Sequence, residues 1–74
     1  MTLKLSEINT RDCFRSFERN ELFERLKEDI KIKGQQSPGL AVRRESGFFL
    51  LDGLRRYTAL QELGIEDMEV NINW

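Results

Sequence analysis

The stretch Leu50–Leu60, LLDGLRRYTAL, sets two arginines just after a glycine, where an apolar run gives way to a helical pattern. A helix N-terminus already carries roughly half a positive charge, and a cation there is disfavoured by about 0.3–1 kcal/mol. Arg55 and Arg56 therefore need solvent or an anion in front of them. Their neighbours suit an anion. The first turn of a helix presents unpaired N–H groups. Gly53 lets a ligand approach the backbone closely, and two guanidinium groups offer bidentate donors that match phosphate. Asp52 can cap the helix or hold an arginine. In the plainer alternative Gly53 only turns the chain, and the arginines are solvated or pair with Asp52 and Glu62.

A second polar stretch, residues 33–40 (KGQQSPGL), precedes a strand pattern. Gln36 or Ser37 can donate hydrogen bonds to a ligand there, or the segment is a simple connector. Arg43 and Arg44 are consecutive strand residues and point to opposite faces, so they cannot share one site. Cys13 stands alone between Arg11 and Arg15 and reads as a small, partly buried residue rather than a reactive thiol. No pair of carboxylates is spaced for acid–base work, so no catalytic residue is assigned. With one cysteine and no histidine, no metal ligands are assigned either.

The elements that must position these residues follow from periodicity. TLKLSEI, from Thr2, reads as a short first strand. Residues 9–19 show no period and read as a loop or short turn. From Glu21 to Lys33 a helix is expected. Asn20 is its cap, Glu21 and Glu24 lie in its first turn, Lys31 and Lys33 in its last, and Leu22, Leu26 and Ile30 form its apolar stripe beside Phe23. Gly34 ends it and Pro38 prevents a restart. LAVRR and FFLL flank ESG as a β-hairpin, and Phe48–Leu51 reads as a strand covered on both faces. A second helix with Tyr57, Leu60 and Leu63 inward runs to Gly64, and Met68, Val70 and Ile72 mark a half-buried last strand. The expected order is β-α-β-β-α-β: a single α/β (α+β) domain over residues 1–74 with a mixed sheet. Leu40, Val42, Phe48, Leu50, Val70 and Ile72 are expected on its core face.

Charge and composition narrow the function classes. Net charge is −1, which argues against strong nonspecific DNA binding. Residues 31–56 nevertheless hold six bases and two acids, whereas residues 57–74 hold four acids and no base. A local basic patch facing one phosphate-bearing ligand is compatible with that split. No apolar run is long enough for a membrane span, and no secretory leader is evident, so a cytoplasmic protein is expected.

The order of LSEI, an arginine-containing loop, LKEDIKIKGQQSPGLAVRR and GFFLLDGLRRYTALQELGIEDMEVNI resembles the N-terminal domain of ParB-type partition proteins, whose fold is shared with sulfiredoxin. The likeness covers nearly the whole chain and is most specific over residues 50–72. It implies that Gly53, Arg55 and Arg56 bind phosphate, with Gln36 and Ser37 in a second segment around a nucleotide: CTP, ATP or ADP, with Mg²⁺. It also implies a role in DNA maintenance, partition or transcription regulation. Departures bear on this. Leu54 and Thr58 stand where the family carries a glutamate and a further arginine, and the cysteine and histidine of the sulfiredoxin turn are missing. No helix-turn-helix is expected within these residues. Two other readings stand beside the nucleotide module. One is a protein-binding regulator or inhibitor using Leu54 and Trp74. The other is a nuclease or phosphotransferase using Asp52.

Overall fold

The computed structural model describes residues 1–11 and 19–73. Cys13, Arg15 and Trp74 lie outside the described residues. The chain runs β1 (Thr2–Lys4), a 3₁₀ turn (Leu5–Glu7), β2 (Ile8–Asn9), α1 (Glu21–Lys33), β3 (Gly39–Arg44), β4 (Gly47–Asp52), α2 (Leu54–Glu62) and β5 (Asp67–Asn73). The expected order holds with one correction: the first strand is two strands, split by the 3₁₀ turn.

That split shapes the sheet. The strand order is β1-β5-β3-β4-β2, so β1 and β2 occupy opposite edges. β1–β5 and β3–β4 pair antiparallel, while β3–β5 and β2–β4 pair parallel. Five strands laid flat would separate the outer two by about 19 Å. The chain from Lys4 to Ile8 can span at most about 14 Å. The sheet must therefore curl, and the Leu5 N–H bond to the Glu66 carbonyl (2.7 Å) pins the connecting turn.

The inner face of the curl is packed by Leu3, Ala41, Leu50, Met68 and Val70, with Phe48 and Ile72 partly buried beside them. Here two expectations fail. Leu40 and Val42 are only half-buried, and Ala41 takes the inner position. The hairpin has a two-residue turn, Glu45–Ser46, which sets Arg44 opposite Gly47, Val42 opposite Phe49 and Ala41 opposite Leu50. Direct partners share a face. With Phe48 and Leu50 inward, the inward residues of β3 must then be odd-numbered. Phe49 is buried on the other face, with the Arg44 and Arg11 guanidinium carbons 4.9 and 5.8 Å from its ring centroid.

The helices cover the inner face. Asn20 caps α1 by accepting from the N–H groups of Leu22 (3.1 Å) and Phe23 (3.2 Å). Leu22, expected inward, is 64% exposed, whereas Phe23 is 0% exposed. Each residue turns about 100° around the axis, so Phe23 and Ile30 lie almost in line and the larger ring sets the buried direction, leaving Leu22 about a quarter-turn away. α2 ends in a Schellman arrangement. Ile65 N–H bonds to the Leu60 carbonyl and Gly64 N–H to the Gln61 carbonyl, with Gly64 at φ 76°. The two helices are joined by Glu62, which pairs with Arg19 and with Lys27 (3.1 Å). The Arg19 guanidinium carbon also lies 5.2 Å from the centroid of the Phe23 ring.

Two expected outcomes come from this packing. Phe23→Ala should cost about 3–5 kcal/mol in urea unfolding, enough to unfold much of a domain this small. The second concerns Glu69, whose carboxylate accepts from the Met1 ammonium (2.8 Å) and the Thr2 hydroxyl (2.6 Å). Those bonds, the ammonium first, hold its pKa below the ordinary 4.5. A lowered folded-state pKa adds stability that is present above 4.5 and is lost as pH falls through the folded value. Urea midpoints measured between neutral and acid pH should fall below that point in the wild type, and less steeply in Glu69→Gln.

Candidate functional site

The site is built where two chain segments meet at one end of the sheet. β4 delivers Asp52 and Gly53 to the start of α2, and β3 begins at Gly39 after the Gly34–Pro38 loop. A bulge prepares the junction. Ala41 pairs with Leu50 but Leu40 pairs with Asp52, so Leu51 is an extra residue on β4. Such an insertion bends the strand and re-aims the residues after it.

Gly53 and Gly39 bring the segments into contact. A Cβ on Gly53 would sit 3.1 Å from the Gly39 Cα, and Gly53 adopts φ 104°, which only glycine takes readily. A Cβ on Gly39 would lie 2.8 Å from the Met68 Cε and 3.2 Å from the Asp52 carbonyl oxygen. The end of the loop at Gly39 thus meets the start of α2 at Gly53, and the Met68 methyl of β5 packs against both glycines.

The N-terminus of α2 differs from that of α1. It has no side-chain cap and no acidic residue in its first turn. Asp52 does not cap it; its Oδ1 accepts from the N–H of the adjacent Gly53 (2.9 Å). The first intrahelical bond runs from Tyr57 N–H to the Gly53 carbonyl (2.9 Å), so the N–H groups of Leu54, Arg55 and Arg56 precede the helical ladder. An anion at this helix start would face these groups rather than the Gly53 N–H, which is bonded to Asp52. Arg55 is exposed and Arg56 half-buried. Glu62, expected as an alternative partner for the arginines, is engaged by Arg19 and Lys27. Leu54 is half-buried at the first helical position. The Thr58 hydroxyl donates back to the Leu54 carbonyl (2.9 Å), inside the helix.

The loop residues divide in role. The Gln36 amide donates to the Lys33 carbonyl (3.2 Å) and closes the end of α1, while Ser37 is exposed. Sequence reasoning missed Gln35. Its amide bonds to both backbone groups of Glu69 and to the Ser37 carbonyl. Two adjacent glutamines gave no basis for choosing between them, because the signal lies in a partner 34 residues away. Among the described residues, no three histidine, cysteine, aspartate or glutamate side chains converge to hold a metal. The carboxylate adjoining the helix start is Asp52, so a magnesium ion arriving there would rest chiefly on phosphate and water. Nor is any helix among the described residues long and apolar enough to cross a membrane.

No family model matches the chain. No curated protein matches it either. Solved structures do. Sulfiredoxin from Arabidopsis thaliana superposes with a TM-score of 0.85 at 26% identity, over 99% of this chain and 82% of that one. The C-terminally truncated chromosome-partitioning protein ParB from Caulobacter crescentus, complexed with CTP-gamma-S, gives 0.81 at 22% identity, over 99% and 43%. The same ParB complexed to the centromeric parS site gives 0.81, with 40% of that chain covered. The chain therefore spans less than half of that ParB. It adopts the ParB/sulfiredoxin-like fold, as the sequence resemblance implied.

The glycine contact carries its own expected outcome. Gly39→Ala should lower stability by about 1–3 kcal/mol, because the Asp52 carbonyl is backbone and must shift. Gly53→Ala should cost at least as much, since it adds about 1–3 kcal/mol of left-handed backbone strain to the crowding. Urea denaturation of both variants measures this.

Proposed function

We propose that the junction of β4 and α2, with the Gly34–Pro38 loop beside it, binds the phosphate groups of a nucleotide. The supporting observation is the uncapped N-terminus of α2, seated behind the Gly39–Gly53 contact with Arg55 and Arg56 in its first turn. The same chain caps α1 with Asn20 and places Glu21 and Glu24 there, so an open, cationic helix start is a local departure. A phosphate would accept from the N–H groups of Leu54, Arg55 and Arg56 and from the two guanidinium groups. The bare Cα of Gly53 is covered by Gly39, so it seats the two segments together and the phosphate would meet the first turn of α2 instead. CTP, ATP and ADP are the ligands to test, with and without Mg²⁺, and the ParB complexed with CTP-gamma-S is the structural precedent. The function is one of binding, in DNA maintenance, partition or regulation, with no side chain given a catalytic role.

A second reading rests on Leu54. A half-buried leucine at the first position of the helix offers a polyphosphate no hydrogen bond and offers another protein an apolar contact. In that case the domain is an accessory regulator that has lost its nucleotide.

Calorimetric titration with each nucleotide separates the readings. Wild type should bind at least one of them. Arg55→Ala combined with Arg56→Ala should weaken that binding by about tenfold or more, while the far-ultraviolet circular dichroism spectrum stays native. Absence of binding by the wild type across all nucleotides overturns the first reading and leaves protein contact through Leu54.

A further inference from the structure

β5 is flanked on each side by a strand that covers only part of it. β1 pairs along Asp67–Glu69, and β3 pairs along Val70–Asn73. On the β3 side the ladder stops at the Gly39–Val70 pair, because the chain there leaves the sheet as the Gly34–Pro38 loop. Val70 turns its own N–H and carbonyl to Met1, so the Glu69 carbonyl lies at the last rung and the Glu69 N–H would be the next group to pair. The side chain of Gln35 takes up the place opposite. Its Oε1 accepts from the Glu69 N–H at 2.8 Å, and its Nε2 donates to the Glu69 carbonyl at 2.8 Å. The same Nε2 donates to the Ser37 carbonyl at 2.8 Å. One primary amide thus imitates a strand residue on β5 and also ties down the loop.

We propose that Gln35 is the positioning residue of the phosphate site. Its amide continues the β3–β5 ladder and fixes Ser37 in the loop that runs into Gly39, the residue in contact with the start of α2, so the loop is set before a ligand arrives. This rests on the phosphate reading of that site. The requirement is for a side chain of this length with both a donor and an acceptor. Asparagine is one methylene short. Glutamate has the reach, but it turns carboxylate oxygens toward two carbonyls and supplies no donor.

The test uses the full chain with CTP and inorganic triphosphate as probes, and amide hydrogen exchange without ligand. Gln35→Ala and Gln35→Glu should each speed exchange of the Glu69 amide by about tenfold or more. Each should weaken binding of both probes by about fivefold or more, through loss of a preset loop. Leu26→Ala removes packing on α1 away from the loop and should leave affinity unchanged even where it lowers stability as much. Unchanged Glu69 exchange, or unchanged affinity, in the Gln35 variants overturns the proposal. So does an equal affinity loss in Leu26→Ala, which would make the effect one of general stability. A wild type that binds neither probe, with Glu69 still protected through Gln35, shows instead that the phosphate reading has failed, and the proposal fails with it.

Discussion

The close approach of Gly39 to Gly53 is the contact on which the rest of the arrangement depends. Two backbones meet there without side chains between them, above the Met68 methyl group. The contact lets β3 start beside the end of β4 and lets α2 leave the sheet directly from Asp52. A larger residue at either position would push the Gly34–Pro38 loop away from the helix start. The bulge at Leu51 works with it, because the extra residue turns Asp52 and Gly53 out of the regular ladder before the helix begins. Local geometry at two glycines thus holds together segments from opposite sides of a hairpin.

The curl of the sheet is a second constraint, and it acts at the opposite end of the chain. A three-residue 3₁₀ turn joins the two outermost strands, so the edges must approach each other. β5 is the strand this arrangement uses most. It takes β1 on one side and β3 on the other, and its Glu69 is held by the Met1 ammonium and Thr2 through its side chain and by Gln35 through its backbone. One residue of β5 is therefore common to the chain start and to the loop beside α2.

Elements with strong periodicity or punctuation were legible in the sequence. Asn20, the turn signal at ESG and Gly64 marked their boundaries, with Gly47 falling in β4 rather than in the turn, and both helices stand within a residue or two of expectation. Facing was less legible. The expected three-residue ESG connection sets inward positions of equal parity on its two strands, Leu40 and Val42 with Phe48 and Leu50, whereas Gly47 belongs to β4 and the two-residue turn reverses that parity. Leu22 required knowledge of which neighbour was larger, since leucines spaced by four drift around the helix and Phe23 set the buried side. The split of TLKLSEI was not legible. Alternating residues look the same whether they form one strand or two, and only pairing with β5 and β4 separates them.

At the site, residue types were legible and bonds were not. The oddity of two arginines at a helix start pointed to residues 52–56, and the structure adds their surroundings. The Asp52 carboxylate accepts from the Gly53 N–H and leaves the helix start without a cap. Glu62 is drawn to α1 by Arg19 and Lys27, so it serves the packing of the two helices. The first turn of α2 therefore adds two guanidinium charges to the positive end of the helix dipole, with no acid of its own, whereas α1 begins with a full cap and two glutamates. Leu54 sharpens the consequence. It adds no charge, whereas a glutamate there would set a carboxylate within the same turn as both arginines. The residue that departs from the partition-protein pattern thus makes this helix start more electropositive than the pattern would.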